Sequence, residues 1–463
     1  MKALIAAVIL ALGLPALAQE AKPRESGSEP LAINYEKYKL KNGLEVILSV
    51  DRKLPIVSVN IWYHVGAYHE TPGRTGFAHL FEHMMFQGSK NVADDVHIAM
   101  LEQLGATDLN GTTNFDRTNY FETVPSNHLE TALWLESDRM GFLLDAITEE
   151  KLRTQQEVVK NERRQGTEAA PYGVAREKMW HALFPLPHPY HGDVIGSMED
   201  LNAATMDDVK SFFRKWYAPS NATLTIVGDF DVAQTKALVE KYFGGLPSGP
   251  KPERPQVAPV KLTRETVIRH DETIATLPML TLAWHSPEYL TEGDATADVL
   301  ATVLATGKAS RLYRRLVLEK QIAQSVEASQ QSIGAQSVFT IEVVARPGVS
   351  TEALQKEVDA VLAEVRKNGI TQEELTRART RYDTRMLSGL QSIGGFGGKA
   401  DVLQNYNHFV GEPNYVAKDL ARYQVVSTDD VKRYANEQLR PDARVVLHAV
   451  PAQQAPAAPK ENK

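Results

Sequence analysis

The sequence predicts an α+β protein of two homologous, duplicated domains, each a mostly antiparallel sheet covered by helices. Three observations carry this. First, Thr205-Met206-Asp207-Asp208-Val209-Lys210 followed by Trp216 to Val227 returns as Ser427-Thr428-Asp429-Asp430-Val431-Lys432 followed by Gln438 to Ala449. The offset is 222 residues without a gap (431 − 209 and 441 − 219). Each copy reads as a capped helix, a proline turn and an apolar strand. Second, Leu246 to Pro255 holds Pro247, Pro250, Pro252 and Pro255 near the middle of the chain. Such a stretch is neither helix nor central strand, and it marks the linker. Third, strand and helix patterns alternate along the first half, from the hairpin at Tyr38–Leu48 to the charged helix opening at Thr148.

The 463 residues open on a secretory signal. Met1-Lys2 is basic, Ala3 to Leu14 is apolar, and Pro15 to Gln19 ends in a small-x-small pattern, so cleavage is expected after Ala18. The apolar run is too short for a permanent membrane span, and no other segment reads as one. An exported, periplasmic chain is the expectation. Cysteine is absent, so there is neither a disulfide framework nor a lipid-anchoring cysteine. A chain of this length buries enough core without disulfides. The net charge of −7 and the lack of a basic tract give no footprint for nucleic acid. The domain reading is a signal peptide over 1–18, a flexible leader over 19–31, a first domain over 32–245, a linker over 246–262, a second domain over 263–450 and a disordered tail over 451–463.

Within the first domain, Tyr38 to Leu48 reads as strand, Asn42-Gly43 turn, strand. Ile56 to Tyr63 alternates as a further strand. Thr71-Pro72-Gly73 is a turn, and an apolar helix follows from Gly76 to Phe86. A helix ends at Leu101 to Gly105, Thr112 to Thr123 reads as a strand, and Glu130 to Leu144 as a helix. Thr148 is a candidate N-cap for a charged helix reaching about Gln165.

The helix over Gly76–Phe86 contains His79-x-x-Glu82-His83. Residues three and four apart share a helix face, so two imidazoles and a carboxylate converge. Two neutral imidazoles four apart form a half-site for zinc, and a neighbouring carboxylate can take a proton from water. The alternative is a buried histidine pair satisfied by backbone carbonyls. The apolar surroundings (Leu80, Phe81, Met84, Met85, Phe86) favour metal, because burying three ionisable groups is costly without a partner. Zinc is preferred over manganese or cobalt on ligand type. The order His-x-x-Glu-His is that of the inverted zinc peptidases. A catalytic zinc needs a third protein ligand, and the charged helix offers Glu149, Glu150, Glu157 and Glu162 without choosing among them.

Gly66-Ala67-Tyr68-His69-Glu70 together with Gly76 to Ser89 resembles the signature of the pitrilysin family, which includes the mitochondrial processing peptidases and insulin-degrading enzyme. The resemblance extends over nearly the whole mature chain. It implies a zinc metalloendopeptidase with one Zn2+ per chain and Glu82 as general base. Val158 to Glu162 resembles the segment ending in the third ligand, 79 residues after His83 (162 − 83), which implies Glu162. A further glutamate common in the family falls at Gln155. Asn110-Gly111-Thr112-Thr113 resembles the family's substrate-binding edge strand, to which a peptide adds as a strand. Asn221 to Asp229 matches a structural strand.

Leu304 to Tyr313 resembles the Gly-rich turn of the family's non-metal domain. In active single-chain members an Arg and a Tyr follow, seven apart; here those positions are Val317 and Gln324. This implies the metal-bearing member of a two-chain enzyme, a heterodimer whose partner supplies the Arg/Tyr pair, a homodimer being the alternative. A non-catalytic peptide-binding or assembly subunit of the same fold is the rival reading. A second Gly-rich stretch, Ile393 to Gly398, lacks the context of a phosphate-binding loop.

Overall fold

The computed structural model describes residues 31–452. The expected signal peptide, the leader up to residue 30 and the tail from 453 lie outside the described residues. The first half runs β1 (Glu36–Lys39), β2 (Glu45–Val50), β3 (Ile56–Tyr63), α1 (Phe77–Met84), α2 (Val96–Gln103), β4 (Thr107–Thr113), β5 (Thr118–Pro125), α3 (Leu129–Phe142), α4 (Glu149–Arg163), α5 (Gly173–Leu183), α6 (Met198–Ala203), α7 (Met206–Trp216), β6 (Ala222–Gly228) and α8 (Val232–Phe243). The second half runs β7 (Thr266–Glu272), β8 (Met279–Ser286), α9 (Asp294–Ala305), β9 (Ala323–Gln331), β10 (Ser337–Ala345), α10 (Thr351–Asn368), α11 (Gln372–Gly389), α12 (Lys399–Val410), α13 (Val416–Val425), α14 (Thr428–Glu437) and β11 (Val445–Pro451).

The strands form two sheets, ordered β1-β2-β6-β3-β5-β4 and β7-β11-β8-β10-β9. The second order reproduces the first without β1. Even the pair directions match: β6 runs parallel to β2 and antiparallel to β3, as β11 runs parallel to β7 and antiparallel to β8. The repeated motif is a capping box in both halves, Thr205 with Asp208 before α7 and Ser427 with Asp430 before α14. The fold is thus the duplicated α+β architecture expected.

The hairpin β1–β2 turns at Gly43, whose φ of +96° suits glycine. The strand expected over Thr112–Thr123 is instead two antiparallel strands, β4 and β5. Asn114 makes the turn without Gly or Pro: its Oδ1 accepts from Asp116 N at 2.8 Å and Arg117 N at 2.9 Å. The expected tail also starts later than residue 451. Pro451 still pairs with Glu272 on β7, and Ala452 N donates to Glu272 O at 2.7 Å.

The halves exchange a helix. α5 of the first half packs Ala175, Met179 and Leu183 against Met279, Ala283, Val445, Leu447 and Ala449 of the second sheet. α12 of the second half packs Ala400, Leu403 and Tyr406 against Ile47 and Val227 of the first. Gln404 Nε2, buried, donates to Asn60 O at 3.0 Å and Thr223 O at 2.7 Å, which fixes α12 across β3 and β6. Cutting the chain within 250–254 is therefore expected to leave both pieces together on size-exclusion chromatography, since each sheet is covered by the other piece. Separation into two independent halves would contradict this packing.

The other face of the first sheet carries the apolar core with α1, α3, α4 and α7. One buried charge lies in it. Arg139 of α3 is 1% exposed, pairs with the fully buried Glu136, and stacks over Tyr120 of β5 at 4.2 Å and Phe86 at 5.3 Å. Glu122 of β5 lies beside them, its carboxyl driven well up by burial and then by Glu136, against the pull of Arg139. Removing one partner from a buried ion pair costs about 3–5 kcal/mol. Arg139→Met is expected to lower stability by about that amount in urea unfolding. A loss below about 1 kcal/mol would mean the carboxylates manage without it.

Candidate metal centre

α1 begins at Gly76, whose φ of +81° and close approach to Ile195 O exclude a side chain. Its first amide groups are held from outside. Glu70 accepts from Gly76 N at 2.9 Å and Ala78 N at 2.8 Å, an acceptor where a helix leaves its N–H groups unpaired. Burial is the leading influence on Glu70 and pushes its carboxyl up to about 8. The helix ends at Met84, two residues earlier than expected, and Leu80, Phe81 and Met84 are buried.

α4 crosses α1 with Leu152 and Val159 in the same core. Thr148 caps it as expected, its side chain accepting from Lys151 N. Gln156 ties it to Leu201 O and Ala204 O, both at 2.9 Å, and Arg163 to Gly196 O at 2.8 Å. Glu162 stands in its last turn, and the backbone widens to a π-helical segment over Arg164–Glu168.

These placements bring His79, His83 and Glu162 together. His79 Nε2 and His83 Nε2 are 3.3 Å apart; Glu162 Oε2 is 3.6 Å from the first and 3.3 Å from the second. Tetrahedral zinc binds N and O ligands at about 2.0–2.1 Å, which sets neighbouring ligand atoms about 3.3–3.4 Å apart. The three donors therefore form one face of such a tetrahedron, with the fourth corner left for another ligand. Burial holds His79 neutral, its pKa down at about 4, the form a metal requires. Among the described residues this is the one such group of His, Asp and Glu. Glu149, Glu150 and Glu157 are not in it, and Gln155 is buried on α4.

Glu82 lies beside the cluster, 9% exposed. Thr113 Oγ1 of β4 donates to its Oε2 at 2.6 Å. Burial raises its carboxyl to about 7, against the Thr113 bond and the charge of Arg117. Gly111 lets β4 lie close against α1: a Cβ there would stand 3.2 Å from Glu82 Cγ and 2.9 Å from Phe86 Cε2. The other expected edge residues sit along the same strand. Asn110 is exposed and accepts from Gly111 N through its own Oδ1, and Thr112 bonds Asn119 at 2.5 Å. Glu70 and Arg117 were not among the residues singled out in the sequence. Glu70 falls in the Gly66–Glu70 signature, whose spacing from Gly76 was the available signal.

In the second half, adding 222 to the cluster positions gives Ala301, Leu304, Ala305 and Thr384, so no counterpart centre exists there. Val317 is buried in the segment before β9, and Gln324 is exposed on β9. Arg311 pairs with Glu374 at 2.7 Å and Arg315 with Glu357 at 2.9 Å.

Residues 45–184 match the family described as insulinase (peptidase family M16), and residues 203–382 match the domain described as the peptidase M16 inactive domain. A zinc protease of Helicobacter pylori, PqqE, is 30% identical over 408 residues, 87% of this chain and 90% of that protein. A crystal structure of a protease from Helicobacter pylori superposes with a TM-score of 0.82 at 27% identity, covering 90% of this chain and 100% of that one. A structure described as a peptidase M16 inactive domain from Pseudomonas fluorescens matches with a TM-score of 0.78 at 21% identity, covering 91% and 100%. Taken with the duplicated fold and the one group among the described residues suited to a metal, these matches establish that the chain belongs to the insulinase family of peptidases, M16, the pitrilysin group that its sequence resembles.

Proposed function

We propose that the chain is an exported zinc metalloendopeptidase that cuts extended peptides or unfolded segments in the periplasm. The observation that carries this is the set of three donor atoms at tetrahedral spacing with a buried carboxylate beside it. His79, His83 and Glu162 would hold the metal. Zinc held there would supply Lewis acidity to the scissile carbonyl and to the attacking water. Glu82 takes the proton of that water and passes it to the leaving amine. Thr113, donating to Glu82 Oε2, fixes the carboxylate's orientation and leaves Oε1 without that bond. β4 is an edge strand, and its free side can hold a substrate backbone by strand addition. Export rests on the N-terminal signal pattern of the sequence.

We further propose that the active form is a heterodimer with a homologous chain that carries the Arg/Tyr pair. Val317 has no donor and Gln324 no phenol or guanidinium, so neither can stabilise the developing oxyanion as that pair would. The rival reading, a non-catalytic peptide-binding or assembly subunit, predicts a broken metal motif, and the intact His79, Glu82, His83 and Glu162 argue against it; a metal-binding protein whose activity was lost with the Arg/Tyr pair is a third reading.

Glu82→Gln is expected to keep one zinc per chain by metal analysis while peptide cleavage falls about 10²–10⁴-fold. His83→Ala should lose the metal itself. Full cleavage by Glu82→Gln would remove Glu82 from its role. For the partner, the purified chain alone should cleave poorly and gain at least about tenfold when co-expressed with a homologous chain bearing Arg and Tyr, since one oxyanion donor is worth about 10²–10³. Full activity of the single chain would overturn the split site, and zinc content without turnover in either case would favour the third reading.

A further inference from the structure

β4 has β5 on one side and no strand on the other among the described residues. Its open backbone groups invite an added strand. One end of that edge is at the reaction centre, because Thr113 bonds Glu82.

The register assigns the two faces of this edge, since residues opposite one another share a face. Gly111 pairs with Tyr120 and Thr113 with Thr118, and Gly111 lies against Glu82, so these face α1. Asn110 pairs with Phe121 and Thr112 with Asn119, so these face the other way. On that opposite side the second half lays down the loop Ser392–Gly398. The loop is closed by Lys399 N to Ser392 O and Ala400 N to Ile393 O, both 3.0 Å, and Gly397 N donates to Asp401 at 2.9 Å. Gly394 lies so close that a Cβ would meet Thr123 Oγ1 at 2.2 Å, and Gly395 and Gly397 turn the tip at φ of +71° and +72°. Phe396 stands on that tip. Its ring meets Phe121 edge-on at 5.2 Å between centroids, yet the residue is 65% exposed. Phe121 itself is 3% exposed. A held loop thus presents an aromatic ring mostly to solvent, beside an open strand edge.

We propose that Phe396, backed by the buried ring of Phe121, is a specificity residue that forms an apolar subsite for a substrate side chain on the face of β4 away from the metal cluster. This rests on the peptidase reading above. Asn110 is three residues from Thr113, about 10 Å along a strand at about 3.4 Å per residue. An odd offset turns a side chain to the opposite face. The subsite therefore reads the substrate residue three positions from the one beside Glu82, and it takes an aromatic or long aliphatic side chain.

The test uses peptides that differ at one position only, carrying Gly, Leu or Phe there. Binding is read by fluorescence anisotropy on the full chain bearing Glu82→Gln, and cleavage on the chain with intact Glu82, alone and with the homologous partner. Adding Phe396→Ala should weaken the Leu and Phe peptides about tenfold in both readouts and leave the Gly peptide within about twofold, as expected for losing one apolar contact. Phe396→Leu should restore most of the preference. Val425→Ala, which truncates an exposed residue elsewhere, should change nothing. An equal loss across all three peptides, or no loss, would overturn the subsite while leaving the peptidase reading standing. No binding and no cleavage of any peptide by the unsubstituted loop would remove both.

Discussion

The Arg139 guanidinium is the fixed point of the first half. It is a full charge with almost no access to water, paired with the Glu136 carboxylate of its own helix and set against two aromatic rings. Because leaving such a charge unpaired is so costly, its neighbours have little freedom. α3 must lie where Arg139 reaches the two rings, β5 must present Tyr120, and the segment after α1 must present Phe86. β4 then pairs with β5 and comes to rest on α1 through Gly111, which delivers Thr113 to Glu82. The Glu82 carboxylate is thus aligned by a chain of contacts that starts at an ion pair remote from the donor cluster.

The centre combines rigid and adjustable parts. The two imidazoles come from one helix, so their spacing is set by helix geometry alone. The third donor comes from α4, whose position depends on Gln156, Arg163 and the core residues beneath. Glu70 adds a further constraint by gripping the first amide groups of α1. Two carboxyl groups with raised pKa values, Glu70 and Glu82, therefore bracket α1, one at its start and one in its last turn. Their surroundings differ: Glu70 faces backbone N–H groups, and Glu82 accepts from the Thr113 hydroxyl.

Part of this was legible in the sequence. His79, Glu82 and His83 share a face by helix periodicity, and no tertiary knowledge is needed to see them converge. Glu162 was different: Glu149, Glu150, Glu157 and Glu162 lie on one charged helix, and only the crossing of α4 over α1 separates them. Thr112–Thr123 read as one strand because its turn uses an Asn side chain instead of Gly or Pro. The two-sheet duplication was visible because the capping boxes and proline turns recur at a constant offset. The exchange of α5 and α12 was not, since periodicity shows that a helix has an apolar face but not which sheet receives it.

That exchange bears on origins. With the 222-residue offset, α5 maps to 395–405, so it and α12 are counterparts, and each covers the sheet of the opposite half. The arrangement is that of two copies trading an arm about a two-fold axis. An ancestral gene for one half would, in this geometry, have left a bare sheet as a monomer and been complete only as a swapped pair. In the present chain the proline-rich segment joins the two copies permanently. Only one copy carries the three-donor group, and the positions equivalent to it and to Glu82 in the other are Ala301, Leu304, Ala305 and Thr384.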